Sequence, residues 1–190
     1  MQKIFSQTIR FKADDDSDFS DWEEKKLESL LDYEQPTKYL VNSTEYSNKY
    51  ETPVLTAGKT FLLGYTNEDF GFFENVPVII FDDFTTANKF VDFKFKAKSS
   101  AMKILNKNNN NVDVKFVYEA MQIICFSLGK EHKRYWISEY QKIKIKAPSF
   151  LEQTKIANFL SSIDSKTEQV SKQLDNSKQF KKSLLQQMFV

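Results

Sequence analysis

Cysteine occurs once in the chain, at Cys125, and histidine once, at His132. One thiol cannot close an internal disulfide or supply a CxxC site, and a lone imidazole with no partner at ligand spacing leaves a structural metal without donors. Glycine and proline are also sparse, four of each against 18 phenylalanines in 190 residues. With 41% hydrophobic and 15% aromatic residues, disorder is excluded and a folded core is expected. The length suits one domain with an appendage better than two full domains. No run approaches the roughly 20 apolar residues of a membrane span, and the N-terminus lacks the apolar segment of a signal peptide, so a soluble, cytoplasmic protein is expected.

Net charge is nearly absent as well, at +1, but only in the sum. Residues 11–35 hold ten acids against three bases, whereas residues 85–146 hold thirteen bases against five acids. This split predicts an electropositive face able to meet a polyanion; a solvated lysine-rich surface is the alternative.

What the chain does have is clearest in its last forty residues. Ser149 and Glu152, after Pro148, have the S-x-x-E spacing of a capping box, in which hydroxyl and carboxylate satisfy orphaned N–H groups at a helix start. From there Ile156, Leu160, Ile163, Thr167, Val170, Leu174, Ser177, Lys181, Leu184 and Met188 recur at alternating steps of four and three, with no Gly or Pro between them. That stripe is a coiled-coil seam, whose polar members fix register and partner at some expense of stability; an ordinary amphipathic helix docked on its own domain is the alternative. At about 1.5 Å per residue the helix would span roughly 58 Å, which suits a spacer or dimerisation arm. The expected division is therefore a domain over 1–147 and a helix over 148–190.

Residues 52–147 read as mixed strand and helix. Val91, Phe93, Phe95 and Ala97 alternate with Asp92, Lys94, Lys96 and Lys98, predicting one strand with an apolar inner face and a lysine outer face. Ile143 and Ile145 alternate with Lys142, Lys144 and Lys146 in the same way. Val112, Phe116, Val117, Ala120, Met121, Ile124, Cys125 and Leu128 share one helical face, which makes Cys125 a core residue. Residues 12–35 suggest an acidic loop and a short amphipathic helix around Trp22, Leu27, Leu30 and Leu31. Without regular βαβ alternation, the fold class is α+β with a separate C-terminal helix. Residues 1–5 also match 185–189 in pattern (bulky apolar, Gln, polar, bulky apolar, Phe), as if the chain began where an equivalent helix would end.

Gly58, Lys59 and Thr60 imitate the end of a phosphate-binding loop, and Val78 to Asp83 imitate a strand ending in a Mg²⁺-binding acid. Pro53 stands where that loop needs glycine, and Gly64, Gly71 and Pro77 break the interval that should hold a crossover helix, so an NTP site is disfavoured. There is no Gly-rich turn for a dinucleotide or S-adenosylmethionine, no Asn-Pro-Pro-aromatic sequence and no nucleophile elbow, so no catalysis is expected. Asp82 and Asp83 are expected to close a strand-end turn. The basic segments suit nucleic acid better. Lys96, Lys98, Ser99, Ser100 and Lys103 place cations and hydroxyls at a strand end, with Lys130, His132, Lys133, Arg134 and Tyr135 as a second cluster on a loop. Arg134, Asn67 and Thr66 are candidates for base edges, with Lys59, Thr60 and Tyr65 as further DNA contacts.

These residues resemble a known family. Residues 53–60, 63–67, 80–85, 91–96 and 98–103, with His132 to Ile137 and Leu151 to Ala157, are similar to a target-recognition domain of type I restriction-modification specificity subunits, its exit and its spacer helix. The opening Phe5, Ser6, Gln7, Arg10 and Phe11, with Trp22 to Leu27, resembles the passage from a central spacer into a recognition domain. The resemblance implies double-stranded DNA as ligand, with methyltransferase (modification) subunits and a restriction subunit as partners. S-adenosylmethionine, ATP and Mg²⁺ would belong to those partners, with no cofactor held here. Full-length members carry two recognition domains and two spacer helices; this chain carries one of each, which leaves open action alone, pairing with a copy or another half, or origin as a fragment. Pairing of two chains through 150–190, antiparallel, would place identical domains over an interrupted palindrome. A coiled-coil protein-protein adaptor without DNA binding is the competing reading.

Overall fold

A computed structural model describes residues 1–58, 60–129 and 133–188. In chain order it contains α1 (Gln2–Phe5), β1 (Glu23–Lys26), β2 (Leu31–Glu34), β3 (Thr52–Leu55), β4 (Leu62–Thr66), β5 (Val78–Asp82), β6 (Asn88–Val91), β7 (Lys96–Ala97) and β8 (Met102–Lys107). There follow α2 (Val114–Gln122), α3 (Tyr135–Ser138), β9 (Lys144–Ala147) and α4 (Phe150–Met188). The described strands form a four-stranded sheet β2-β8-β5-β6, a three-stranded sheet β4-β3-β7 and a pair β1-β9. The fold is α+β with a long C-terminal helix.

Strand β5 sits at the centre. Its run Val78, Ile79, Ile80, Phe81 is wholly buried, as expected of a strand covered on both faces. Ile79 and Phe81, with Leu105 of β8, join Phe116, Trp136, Ile156 and Leu160 on the helical side. Val78 and Ile80, with Met102 and Ile104, join Leu55 and Phe95 on the side of the three-stranded sheet. Burying four such side chains removes enough apolar surface to contribute roughly 1.5–3 kcal/mol each.

Local pattern and long-range pairing disagree in four places. The strand expected over 91–97 is two strands: β6 edges the four-stranded sheet, β7 edges the three-stranded one, and the crossing between them resets the alternation. Phe93 is thus exposed, while Phe95, Lys96 and Ala97 are buried in succession. The helix expected to reach Leu128 stops at Gln122, because Phe126 turns away to pack on Tyr135 and Tyr140 at 5.5 and 5.2 Å. Cys125 is consequently exposed rather than core. Residues 23–34 are not helical, since β1 pairs with β9 and β2 with β8, and a 3₁₀ turn at Leu27–Ser29 buries Leu27 between them. At the start of α4 no capping box forms. Ser149 contributes its carbonyl to the Gln153 N–H (2.9 Å), and the fully buried Glu152 carboxylate reaches Arg10 at 3.2 Å instead.

The strand reading of Ile145 holds: β9 alternates Lys144 and Lys146 outward with Ile145 and Ala147 inward. So does the seam's helix, which runs unbroken for 39 residues.

Candidate nucleic-acid interface and spacer helix

Strand pairing gathers three loops at one pole. β3 and β7 run parallel, with Val54 opposite Lys96 and Leu55 opposite Ala97, so the chain leaves the sheet at the same end after Leu55 and after Ala97. The Lys98 N–H donates to the Leu55 carbonyl at 2.8 Å. β8 begins directly afterwards with Met102 opposite Asp82, which sets the β5–β6 turn beside residues 99–101. Asp83 then draws in the third segment. Its carbonyl accepts from the Tyr135 N–H and its Oδ1 from the Trp136 N–H, both at 2.9 Å, so Lys133 and Arg134 arrive at the same end. Thr60, Lys98, Ser99, Ser100, Lys133 and Arg134 are thereby brought together, although they come from three separate stretches of the sequence.

Other expected contacts are not on that surface. Lys96 is fully buried, with its Nζ 2.6 Å from Glu68 Oε2 and 2.7 Å from the Phe70 carbonyl. Burial alone would raise the Glu68 carboxyl, but the Lys96 ammonium and the N–H groups of Ser43 and Asn42 outweigh it and hold the carboxyl below the usual range. Lys103 is 1% exposed and lies 3.3 Å from Asp83 Oδ2, with Nζ 4.3 Å from the Tyr33 ring centroid. Both lysines are internal struts, because a charge at full burial needs a paired countercharge. Tyr135 and Thr66 are buried too. Tyr65, Thr66 and Asn67 lie at the other end of the small sheet, since β4 is antiparallel to β3 with Thr66 opposite Thr52. Lys59, Lys130, His132 and the side chain of Met188 lie outside the described residues. The imitation of a phosphate loop is a hairpin, closed by the Thr56 N–H on the Phe61 carbonyl at 2.9 Å.

The long helix is seated at the opposite end of the four-stranded sheet. Phe150, Ala157 and Asn158 line a cleft of about 440 Å³ with Val76 and Pro77, which precede β5, and Asn106 and Lys107, which end β8. Ile156 and Leu160 are buried in the domain core, so these two seam positions dock the helix at home rather than on a partner. Lys115 of α2 adds an ion pair to Asp164 at 2.9 Å. Beyond this the seam emerges: Ile163, Val170, Leu174 and Leu184 are 43%, 63%, 54% and 43% exposed. Thr167 turns its hydroxyl back to the Ile163 carbonyl at 2.8 Å.

A family model of the type I restriction modification DNA specificity domain matches residues 19–177. The chain belongs to that family. It is 53% identical over 126 residues to the type I restriction enzyme EcoR124I/EcoR124II specificity subunit of Escherichia coli, covering 64% of this chain and 31% of that protein. Its fold is similar to the S subunit of a type I restriction-modification system from M. genitalium, with a TM-score of 0.62 at 19% identity, over 86% of this chain and 44% of that one. A second solved chain, described for complex assembly and conformational transition of the type I R-M system, matches with a TM-score of 0.56 at 11% identity, over 90% and 45%. The chain thus spans less than half the length of the relatives it matches.

In this specificity domain the two charge blocks partly answer each other. β1, with Glu23 and Glu24 ahead of Lys25 and Lys26, lies along basic β9, and Glu24 meets Lys144 at 2.7 Å, so their mutual hydrogen bond holds the carboxyl below and the ammonium above their ordinary ranges. Lys155 likewise meets Asp14 at 2.6 Å. Part of the basic excess of 85–146 is thus neutralised at the surface, where Lys133 also pairs with Glu139, and Lys96 and Lys103 are buried. Among the described residues no helix is long and apolar enough to cross a membrane, and no three metal-ligating side chains cluster. Sequence reasoning passed over Phe84 and Thr85, both exposed at the basic pole. The Asp-Asp-Phe-Thr turn after an apolar strand was the available signal, because Asp82 Oδ1 accepts from the Phe84 and Thr85 N–H groups at 2.9 and 3.3 Å.

Proposed function

We propose that this chain is a non-catalytic, sequence-specific DNA-recognition unit that directs adenine methylation and DNA cleavage by partner subunits. The observation that carries the reading is the division of the domain: cations and hydroxyls from three loops gather at one end of β5 and β8, and the spacer helix is seated at the other. Loops of that composition suit phosphate oxygens on either side of a groove, and a helix leaving from the far end holds the reading surface away from whatever the helix binds. S-adenosylmethionine, ATP and Mg²⁺ belong to the modification and restriction subunits in this reading. The exposed seam beyond residue 161 extends roughly 42 Å, and an isolated helix with an apolar stripe is marginal in water, so a second helix covers it. A copy of the chain is the partner that needs nothing further, and its two-fold axis gives half-sites about 34 Å apart.

The test is duplex binding by the purified chain as salt is varied. Log K should fall linearly with log salt with a slope reporting several phosphates, and Lys98→Ala with Arg134→Ala should reduce that slope by about 1 to 2. An affinity insensitive to salt favours the protein-only adaptor, whereas a salt slope the double variant leaves unchanged moves the DNA face away from Lys98 and Arg134.

A further inference from the structure

The pole carries one element that the charge argument does not use, the turn between β5 and β6. Its residues Phe84, Thr85, Thr86 and Ala87 bear no charge, whereas the segments beside it bring Lys98 and Arg134. The turn is also finished internally. Phe84 and Thr85 donate their N–H groups to Asp82 Oδ1, Thr86 donates to the Asp82 carbonyl at 2.9 Å, and Ala87 to Thr85 Oγ1 at 3.4 Å. From below, the carboxylate and carbonyl of Asp83 anchor it to Lys103, Tyr135 and Trp136. Thr86 has φ +59, a left-handed conformation that a β-branched residue adopts only when its surroundings impose it. On this pre-formed tip Phe84 stands 42% exposed, a large apolar ring that nothing in the fold requires to face water.

We infer that the turn reads base edges, Phe84 against a thymine methyl and the Thr85 hydroxyl on a neighbouring base, while the flanking cations hold the phosphates. This rests on the DNA-recognition reading above and assigns the specificity within it. Cations bind any sequence; discrimination needs groups that can sense a methyl or a donor–acceptor pattern, and a two-stranded ribbon is the right width for the major groove. The rigid turn removes most of the ordering cost that a flexible loop would bring to such contacts.

The experiment compares the full chain with Phe84→Ala and Thr85→Ala by selection from a randomised duplex pool, followed by competition titrations on the selected sites. Both positions are exposed, and Thr85→Ala gives up only the long 3.4 Å bond from the Ala87 N–H, so the variants should unfold close to the wild-type midpoint. Each should lose about tenfold or more discrimination at one or two base pairs while keeping its affinity for random duplex within about twofold. Variants that retain every wild-type preference, or that weaken all duplexes equally, overturn the assignment and leave the DNA reading intact. A wild-type chain that shows no preference at all overturns both.

Discussion

Replacing Asp83 by alanine should be the most damaging single substitution at the basic pole. Its side chain is 3% exposed and that of Lys103 is 1% exposed, at 3.3 Å from each other, so the variant strands a buried ammonium. Removing one member of a buried pair costs about 3–5 kcal/mol, and the lost bond from the Trp136 N–H to Oδ1 falls within the same sum rather than adding to it. The Tyr33 ring, 4.3 Å from Lys103 Nζ, offsets part of this through a cation–π contact of about 2 kcal/mol, which places the expectation near the lower bound. Against a total stability of about 5–15 kcal/mol that remains a large fraction. Urea unfolding of Asp83→Ala, Asp83→Asn, Lys103→Met and the double variant Asp83→Asn with Lys103→Met measures it. The double variant leaves no unpaired charge and keeps an acceptor for Trp136, so it should be less destabilised than Asp83→Ala. A loss under 1 kcal/mol in Asp83→Ala, or strict additivity in the double variant, would refute the strut.

Three further outcomes follow from the same geometry. Burial pushes the Tyr140 hydroxyl from 10.0 to about 12, so the fold favours its neutral form; stability is full below pH 10 and declines as pH rises toward 12, and Tyr140→Phe should remove that alkaline dependence in pH-stepped denaturation. Lysine at Ile163, Val170, Leu174 and Leu184 together should give monomers by sedimentation while leaving the domain's unfolding nearly unchanged, because these positions are exposed; equal masses for wild type and variant would end the pairing model. Thr86→Gly should gain up to about 1 kcal/mol in thermal unfolding, since glycine relieves the left-handed strain at a smaller entropic cost; a loss would mean that the threonine side chain holds the turn.

Features that depend on near neighbours were legible in the chain. The helix from Phe150, the inward Ile145 and the turn at Asp82 all follow from spacing within a few residues. Features that depend on distant partners were not. A lysine among alternating residues reads as outward unless the carboxylate that meets it is known, and Lys96 finds Glu68 while Lys103 finds Asp83, 28 and 20 residues earlier. The same holds for Ile156 and Leu160: the heptad spacing marks them as seam, and only the docking of α2 and β5 decides that they belong to the domain core. Thr60 shares a pole with Lys98, Ser99 and Ser100 because of a parallel pairing of two residues between β3 and β7, a bridge too short to leave any periodic trace, and Lys133 and Arg134 join them only through Asp83.

The seating of the helix at the far end of β5 from the basic turns has a consequence for how such a protein can diversify. Residues 84–87, 98–101 and 133–134 are mostly exposed and contribute few core side chains, so changing them alters stability by only about ±0.5 kcal/mol each away from their anchors. The anchors themselves, Asp83, Lys103 and Trp136, are buried beneath them, whereas α4's stripe beyond Leu160 is exposed. On the proposed function, drift at the tips can therefore acquire new DNA words without disturbing the helix, and drift along the outer helix can change partners while the vocabulary stays the same.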